Sequence, residues 1–215
     1  MRLRRPQRCT LSDRLVWQSA SLLLSYPDRG QFEAAEALVE HVDGGAGAQL
    51  RATLDTVRGL GATAAATQYV DTFDLRRRAT MYLTYWTTGD TRNRGRAMLE
   101  FSDAYRRAGV SMAHREAPDH LPVVLEFAAT VDPTGGRDLL VAHRVPLGVL
   151  HDALCESDSP YASTVAAVLG TLPAATDADL RRVQHLAAGG APVESVGLQP
   201  FTLTVPPRRG EQGRR

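Results

Sequence analysis

The chain contains no lysine. All of its 25 basic residues are arginine, and with 24 acidic residues the net charge is +1. A near-neutral balance gives no bulk attraction to nucleic acid or to an anionic membrane. The exclusive use of arginine reads as a GC-rich coding bias rather than as a demand for bidentate recognition everywhere. Cysteine is almost absent as well: Cys9 and Cys155 cannot supply a structural zinc site or a disulfide framework, which suits a reducing cytoplasm. No run approaches the ~20 apolar residues that cross a bilayer, so stable membrane insertion is not expected. The basic start MRLRRPQR precedes a moderately apolar Leu15 to Leu24, but Gln18 and several serines interrupt it. No small-residue cleavage site follows before Tyr26-Pro27, so the start does not read as a secretion signal.

Catalytic equipment is missing too. Cys155, Ser102 and Ser111 lie in no nucleophile motif, and no phosphate loop is present. His114, Glu116 and His120 are not at ligand spacing on one helix, so no metal site is expected. These absences point away from an enzyme.

What the chain does contain is helical periodicity. Its 215 residues, 43% of them hydrophobic, suit one medium domain with a real core. Ser12 is placed to cap a first, deeply buried helix carrying Leu15, Val16, Ala20, Leu23 and Leu24, ended by Pro27 to Gly30. Phe32, Ala35, Leu38 and Val39 mark a second helix, stopped by Gly44-Gly45. Residues 47–73 hold two more, broken around Gly59–Gly61. Arg92 to Ala108 is a long helix with Gly109 as its cap, and PDHLPVVLEFAATV opens another. Further helices are expected over 133–143, 146–156, 161–172 and 177–188. The expectation is an all-α bundle of about nine or ten helices spanning residues 11–188. A short flexible start (residues 1–10) and a Gly-, Pro- and Arg-rich disordered tail (residues 189–215) flank it.

The densest chemistry lies between Gln68 and Met98. Tyr69, Phe73, Tyr82, Tyr85 and Trp86 sit beside Arg76, Arg77, Arg78, Arg92, Arg94 and Arg96. Aromatics and arginine dominate the energetic centres of protein-binding surfaces. Core packing suits Phe73 and Leu83 best, whereas the tyrosines and Trp86 carry polar handles that suit the rim of a groove. A fold-back at Thr88-Gly89-Asp90 would set the two arginine clusters side by side, where they could hold a pyrophosphate or an acidic peptide. Otherwise they form a solvated face paired with Asp71, Asp74 and Asp90. In PDHLP, Asp119 is a natural N-cap. His120 then sits at the positive end of the helix dipole, which disfavours its protonation.

These segments together, QYVDTFDLRRRATMYLTYW, GDTRNRGRAM and EAPDHLPVVLEFAA, resemble the NarJ family, the assembly chaperones of respiratory nitrate reductase within the TorD-like group. The SVGLQPF of the tail is similar to that of actinobacterial-type members. The resemblance covers residues 11–172 and implies an all-helical, non-enzymatic cytoplasmic chaperone. Such a protein binds the N-terminal segment of the catalytic (alpha) subunit and keeps the apoprotein competent for insertion of molybdenum guanine dinucleotide and for iron–sulfur loading. No permanently bound cofactor is implied; cofactor-delivery proteins are further candidate partners. The family's Asp-His motif maps onto Asp119 and His120, and its tyrosine–phenylalanine helix onto Tyr69, Phe73 and Asp74. The expected client-binding set is completed by Tyr82, Tyr85, Trp86, Leu121 and Glu126, with the six arginines as contacts to an anionic ligand or to the client. Two other readings stay open: an arginine-rich helical module binding nucleic acid or another anionic partner, and a hydrolase using Asp119 and His120.

Overall fold

The computed structural model describes residues 9–89, 91–111 and 116–192. The expected flexible start apart from Cys9 and Thr10, Asp90, His114 and the tail beyond Pro192 lie outside the described residues. Eleven α-helices occur among the described residues: α1 (Leu11–Leu23), α2 (Arg29–Val39), α3 (Gly44–Gly59), α4 (Ala62–Tyr69), α5 (Tyr85–Thr88) and α6 (Arg92–Arg107) are followed by α7 (Leu121–Thr130), α8 (Pro133–Ala142), α9 (Arg144–Glu156), α10 (Ala162–Thr171) and α11 (Asp177–Gly189). No strand is present among them beyond one isolated antiparallel bridge, Tyr82 with His120. The architecture is all-α, as the periodicity predicts.

Helix α1 is the axis. It starts two residues earlier than Ser12 suggests, because Thr10 and Asp13 form a reciprocal capping box: the Asp13 N–H donates to the Thr10 hydroxyl oxygen at 3.1 Å, and the Thr10 N–H donates to the Asp13 carboxylate at 2.8 Å. Val16, Trp17, Ala20, Leu23 and Leu24 are all buried, and α1 packs on α2, α3, α7 and α10. The Trp17 indole N–H donates to the Thr171 hydroxyl at 2.8 Å, so the largest core side chain is also polar-satisfied. Gly44 and Gly45, read as a stop, instead open α3, with Gly44 at φ +69°. Gly109 ends α6 as expected: at φ +79° it lets the Val110 N–H reach the Tyr105 carbonyl at 3.0 Å.

Two short elements escaped the periodicity. Val70–Asp74 forms one π turn directly after α4, and Arg77–Ala79 forms a 3₁₀ turn. A second, smaller apolar cluster of Trp86, Val149 and Val183 joins α5, α9 and α11, with Tyr85, Val145 and Leu186 against it.

Candidate functional site

Asp119 is the buried anchor of the region. It is 0% exposed, and its carboxylate does not cap α7, whose N-cap position falls to His120. One carboxylate oxygen accepts from the Thr84 N–H at 3.2 Å and from the Thr84 hydroxyl at 2.5 Å, with an Arg94 guanidinium nitrogen 4.0 Å away. The expected cap is therefore corrected. Pro122 removes a donor from the first turn of α7, and the Thr84 hydroxyl and N–H offer two donors in its place. Two backbone bonds clamp the same place, Leu83 N–H to the Asp119 carbonyl and Leu121 N–H to the Met81 carbonyl, both 3.0 Å. They hold Tyr82 opposite His120, ring centroids 5.1 Å apart, with the Arg94 guanidinium 5.2 Å from the Tyr82 ring centre.

Arg94 thus serves Asp119 and Tyr82. Arg78 reaches Glu156 on α9 at 3.4 Å and the Ala187 carbonyl near the end of α11. The two arginine clusters engage different elements, and Arg78 pairs with Glu156 rather than with Asp71 or Asp74. Arg76, Arg77, Arg92 and Arg96 are exposed. Arg78 and Arg94 therefore reach separate partners rather than one shared anion cradle.

The aromatic residues divide the same way. Phe73 and Leu121 are core residues. Trp86 is 2% exposed beneath α11, so it does not rim a groove, and Tyr85 is half-buried beside it. Tyr69 packs on Phe73 at 5.0 Å and Tyr26 at 5.4 Å, and Phe73 on Tyr161 at 4.9 Å. The π turn carries Phe73 into this stack while Asp74 stays exposed. Burial pushes the Tyr161 phenol up to about 12, and raises that of Tyr69 as well.

Three expected residues do meet. Tyr69, His120 and Glu126 line one hollow of about 320 Å³ together with Tyr26, Gln31 and Glu116. It continues past Glu116, Val123 and Glu126 into a hollow of about 220 Å³ ending at Tyr105 and Val131. A third hollow of about 580 Å³, bordered by Val70 and Asp71, shares Tyr26 with it. Together they form a trough of mixed lining, with Tyr26, Tyr69, Pro122 and Val123 beside Ser21, Ser25, Gln31 and His120, and with carboxylates at its edge. His120 lies in it with its pKa lowered by burial, an effect that Asp119, Glu116 and Asp74 partly oppose. Tyr82, 40% exposed, stands beside it. Tyr26, Gln31 and Glu116 were missed as trough residues; Tyr26 follows the helix-ending pattern of α1, and only the tertiary packing of α1 against α7 brings it to His120.

The family model for the nitrate reductase delta subunit matches residues 39–167, which run from the last residue of α2 into α10 and include both halves of the Asp119 clamp. The chain belongs to this family. It is 30% identical over 170 residues to NarJ of Bacillus subtilis, covering 76% of this chain and 91% of that protein. It is 29% identical over 168 residues to the nitrate reductase molybdenum cofactor assembly chaperone NarJ of Escherichia coli K12, covering 74% of this chain and 70% of that one. The nitrate reductase-like protein NarX of Mycobacterium tuberculosis is 57% identical over 157 residues, which are 73% of this chain but only 24% of that protein. The chain therefore spans about a quarter of the length of this relative. In fold it resembles the crystal structure of a candidate redox enzyme maturation protein from Archaeoglobus fulgidus, with a TM-score of 0.57, 23% identity, and 79% and 98% of the two chains covered.

Among the described residues no group of three or more His, Cys, Asp or Glu is arranged to hold a metal, and no helix is long and apolar enough to cross a membrane.

Proposed function

We propose that this protein is a non-catalytic assembly chaperone for a nitrate reductase. It holds the N-terminal segment of the catalytic subunit in the trough while the apo-subunit awaits molybdenum guanine dinucleotide. The observation that carries this reading is the trough itself: Tyr26, Tyr69 and Val123 offer apolar contact, and Glu116, Glu126 and Asp71 offer acceptors along three adjoining hollows. A groove of mixed aromatic and polar lining edged with carboxylates suits a peptide that carries both apolar and basic side chains. The names of the NarJ relatives support the client class. The dispersed arginines favour a grip on the client's polypeptide over a grip on its cofactor, which stays cargo of the client.

The test is genetic and chemical together. In a strain lacking its own delta-family chaperone, this protein should restore nitrate reductase activity and the molybdenum content of the purified catalytic subunit. Restored activity with the triple change Tyr69→Ala, Glu116→Gln, Glu126→Gln at normal protein levels would contradict the trough as the client site.

A further inference from the structure

The last described residues return to the end of α5. Pro192 lies with its carbonyl against Gly89, a close approach open only to a residue without Cβ, and Gly89 is held at φ +61°. From Gly89 a short relay of backbone bonds runs to the site: Gly89 N–H to the Tyr85 carbonyl at 2.7 Å, Tyr85 N–H to the Tyr82 carbonyl at 3.1 Å, then the Tyr82–His120 bridge. Pro192, the last described residue, is thereby linked through α5 to the clamp that positions His120.

The sequence that follows is VESVGLQPFTLTVPPRRGEQGRR, 23 residues. Phe201, Leu203 and Val205 alternate with threonines, and Arg208, Arg209, Arg214 and Arg215 follow. Only Glu194 and Glu211 carry the opposite charge. Like the peptide that suits the trough, this segment carries both apolar side chains and guanidinium groups. The trough offers the complement. Glu116, Glu126 and Asp71 are exposed along it, and the Gln31 amide oxygen is buried there with no donor. Reach is no obstacle, since 23 residues extend up to about 75 Å, against a radius of gyration of about 17 Å for a compact chain of this length.

We propose that residues 196–215 of this chain occupy the trough as a pseudo-client, Phe201, Leu203 and Val205 on its apolar wall and the arginines on Glu116, Glu126 and Asp71. A tethered occupant acts at an effective concentration on the order of millimolar, so even weak docking competes with a client in solution. The segment shields the apolar wall when no client is present and raises the affinity that a true client must have. The competition rests on the reading of the trough as the client site; the docking does not.

The experiment uses the full chain with Cys9→Ser, Cys155→Ser and Thr204→Cys, carrying a nitroxide on the new cysteine. Backbone amide resonances of Tyr26, Asp71, Val123 and Glu126 are expected to broaden, and those of Glu100 and Asp138 in the separate α6–α8 cleft to broaden less. The broadening should fade with Glu116→Gln plus Glu126→Gln, with Arg→Gln at 208, 209, 214 and 215, and on raising salt. Absence of broadening at the trough, or broadening that the charge changes leave intact, overturns the proposal. A synthetic peptide of the catalytic subunit's N-terminus should then reverse the broadening, and should bind the four-arginine variant about 2–10-fold more tightly than the unmodified chain. Broadening that this peptide fails to reverse upholds the docking and overturns the shared trough.

Discussion

At the scale of single residues, Asp119 and His120 divide the labour within one dipeptide. Asp119 is wholly interior and spends its carboxylate on Thr84 and Arg94, whereas His120 lines the trough. Asp119→Ala strands two buried Thr84 donors and should cost about 1–3 kcal/mol in denaturant unfolding. Asp119→Asn keeps an acceptor for Thr84 and should cost clearly less. Equal losses in the two variants would mean that the Thr84 bonds contribute nothing. For His120, burial lowers the folded-state pKa below its ordinary 6.5, so the fold favours the neutral ring. The corresponding stability is complete above about 6.5 and drains away as pH falls below it. Melting temperatures measured from pH 7.5 to 5 should fall in the unmodified chain and fall less in His120→Gln; parallel curves would remove His120 from the acid response. The sequence marked this dipeptide as special but misread Asp119, because PDHLP satisfies the local rules for a cap. The competing donors on Thr84 become visible only when the chain returns.

At the scale of elements, the helices were legible because each buries a stripe at the helical period. α1, α6, α7 and α8 fall close to where Val16, Phe101, Leu125 and the Pro133 start place them. Trp86 was not legible. Its partners Val149 and Val183 lie on α9 and α11, and nothing in TYWTTG announces that a distant helix will cover it. Close approach explains two glycines that composition alone leaves mute. A Cβ on Gly136 would collide with the Ala128 backbone where α8 crosses α7, so Gly136→Ala should destabilise by about 1–3 kcal/mol despite alanine's better helix propensity. An unchanged unfolding midpoint would contradict that packing. A Cβ on Gly148 would stand 2.8 Å from a Val183 methyl, so Gly148→Val should lift α11 from α9 and expose Trp86. In a Trp17→Phe background the emission of Trp86 should then shift to the red. Emission unchanged from the Trp17→Phe parent would mean that α11 does not depend on this contact.

At the scale of the whole molecule, the eleven helices of the described residues build a scaffold in which the trough is formed by parts that are distant in sequence: the end of α1, the start of α2, the junction of α4 with the π turn, and α7. The sequence could supply Tyr69, His120 and Glu126 individually, since each lies in a segment resembling the NarJ family, but not the trough they share with Tyr26 and Gln31. The aromatic-and-arginine stretch divides instead into core (Phe73), clamp (Arg94), buried satellite (Trp86) and exposed face (Arg76, Arg77). Its density reflects several structural tasks packed into one connection. The central claim is that a carboxylate-edged trough holds the client's N-terminal segment. Calorimetry of the full chain with a synthetic peptide of that segment tests it most directly. The account predicts one-to-one binding with a negative heat-capacity change, weakened at least several-fold by Glu116→Gln with Glu126→Gln and by Tyr69→Ala, and left unchanged by Arg76→Gln with Arg77→Gln. Binding that ignores the trough changes and collapses with the arginine changes would contradict it.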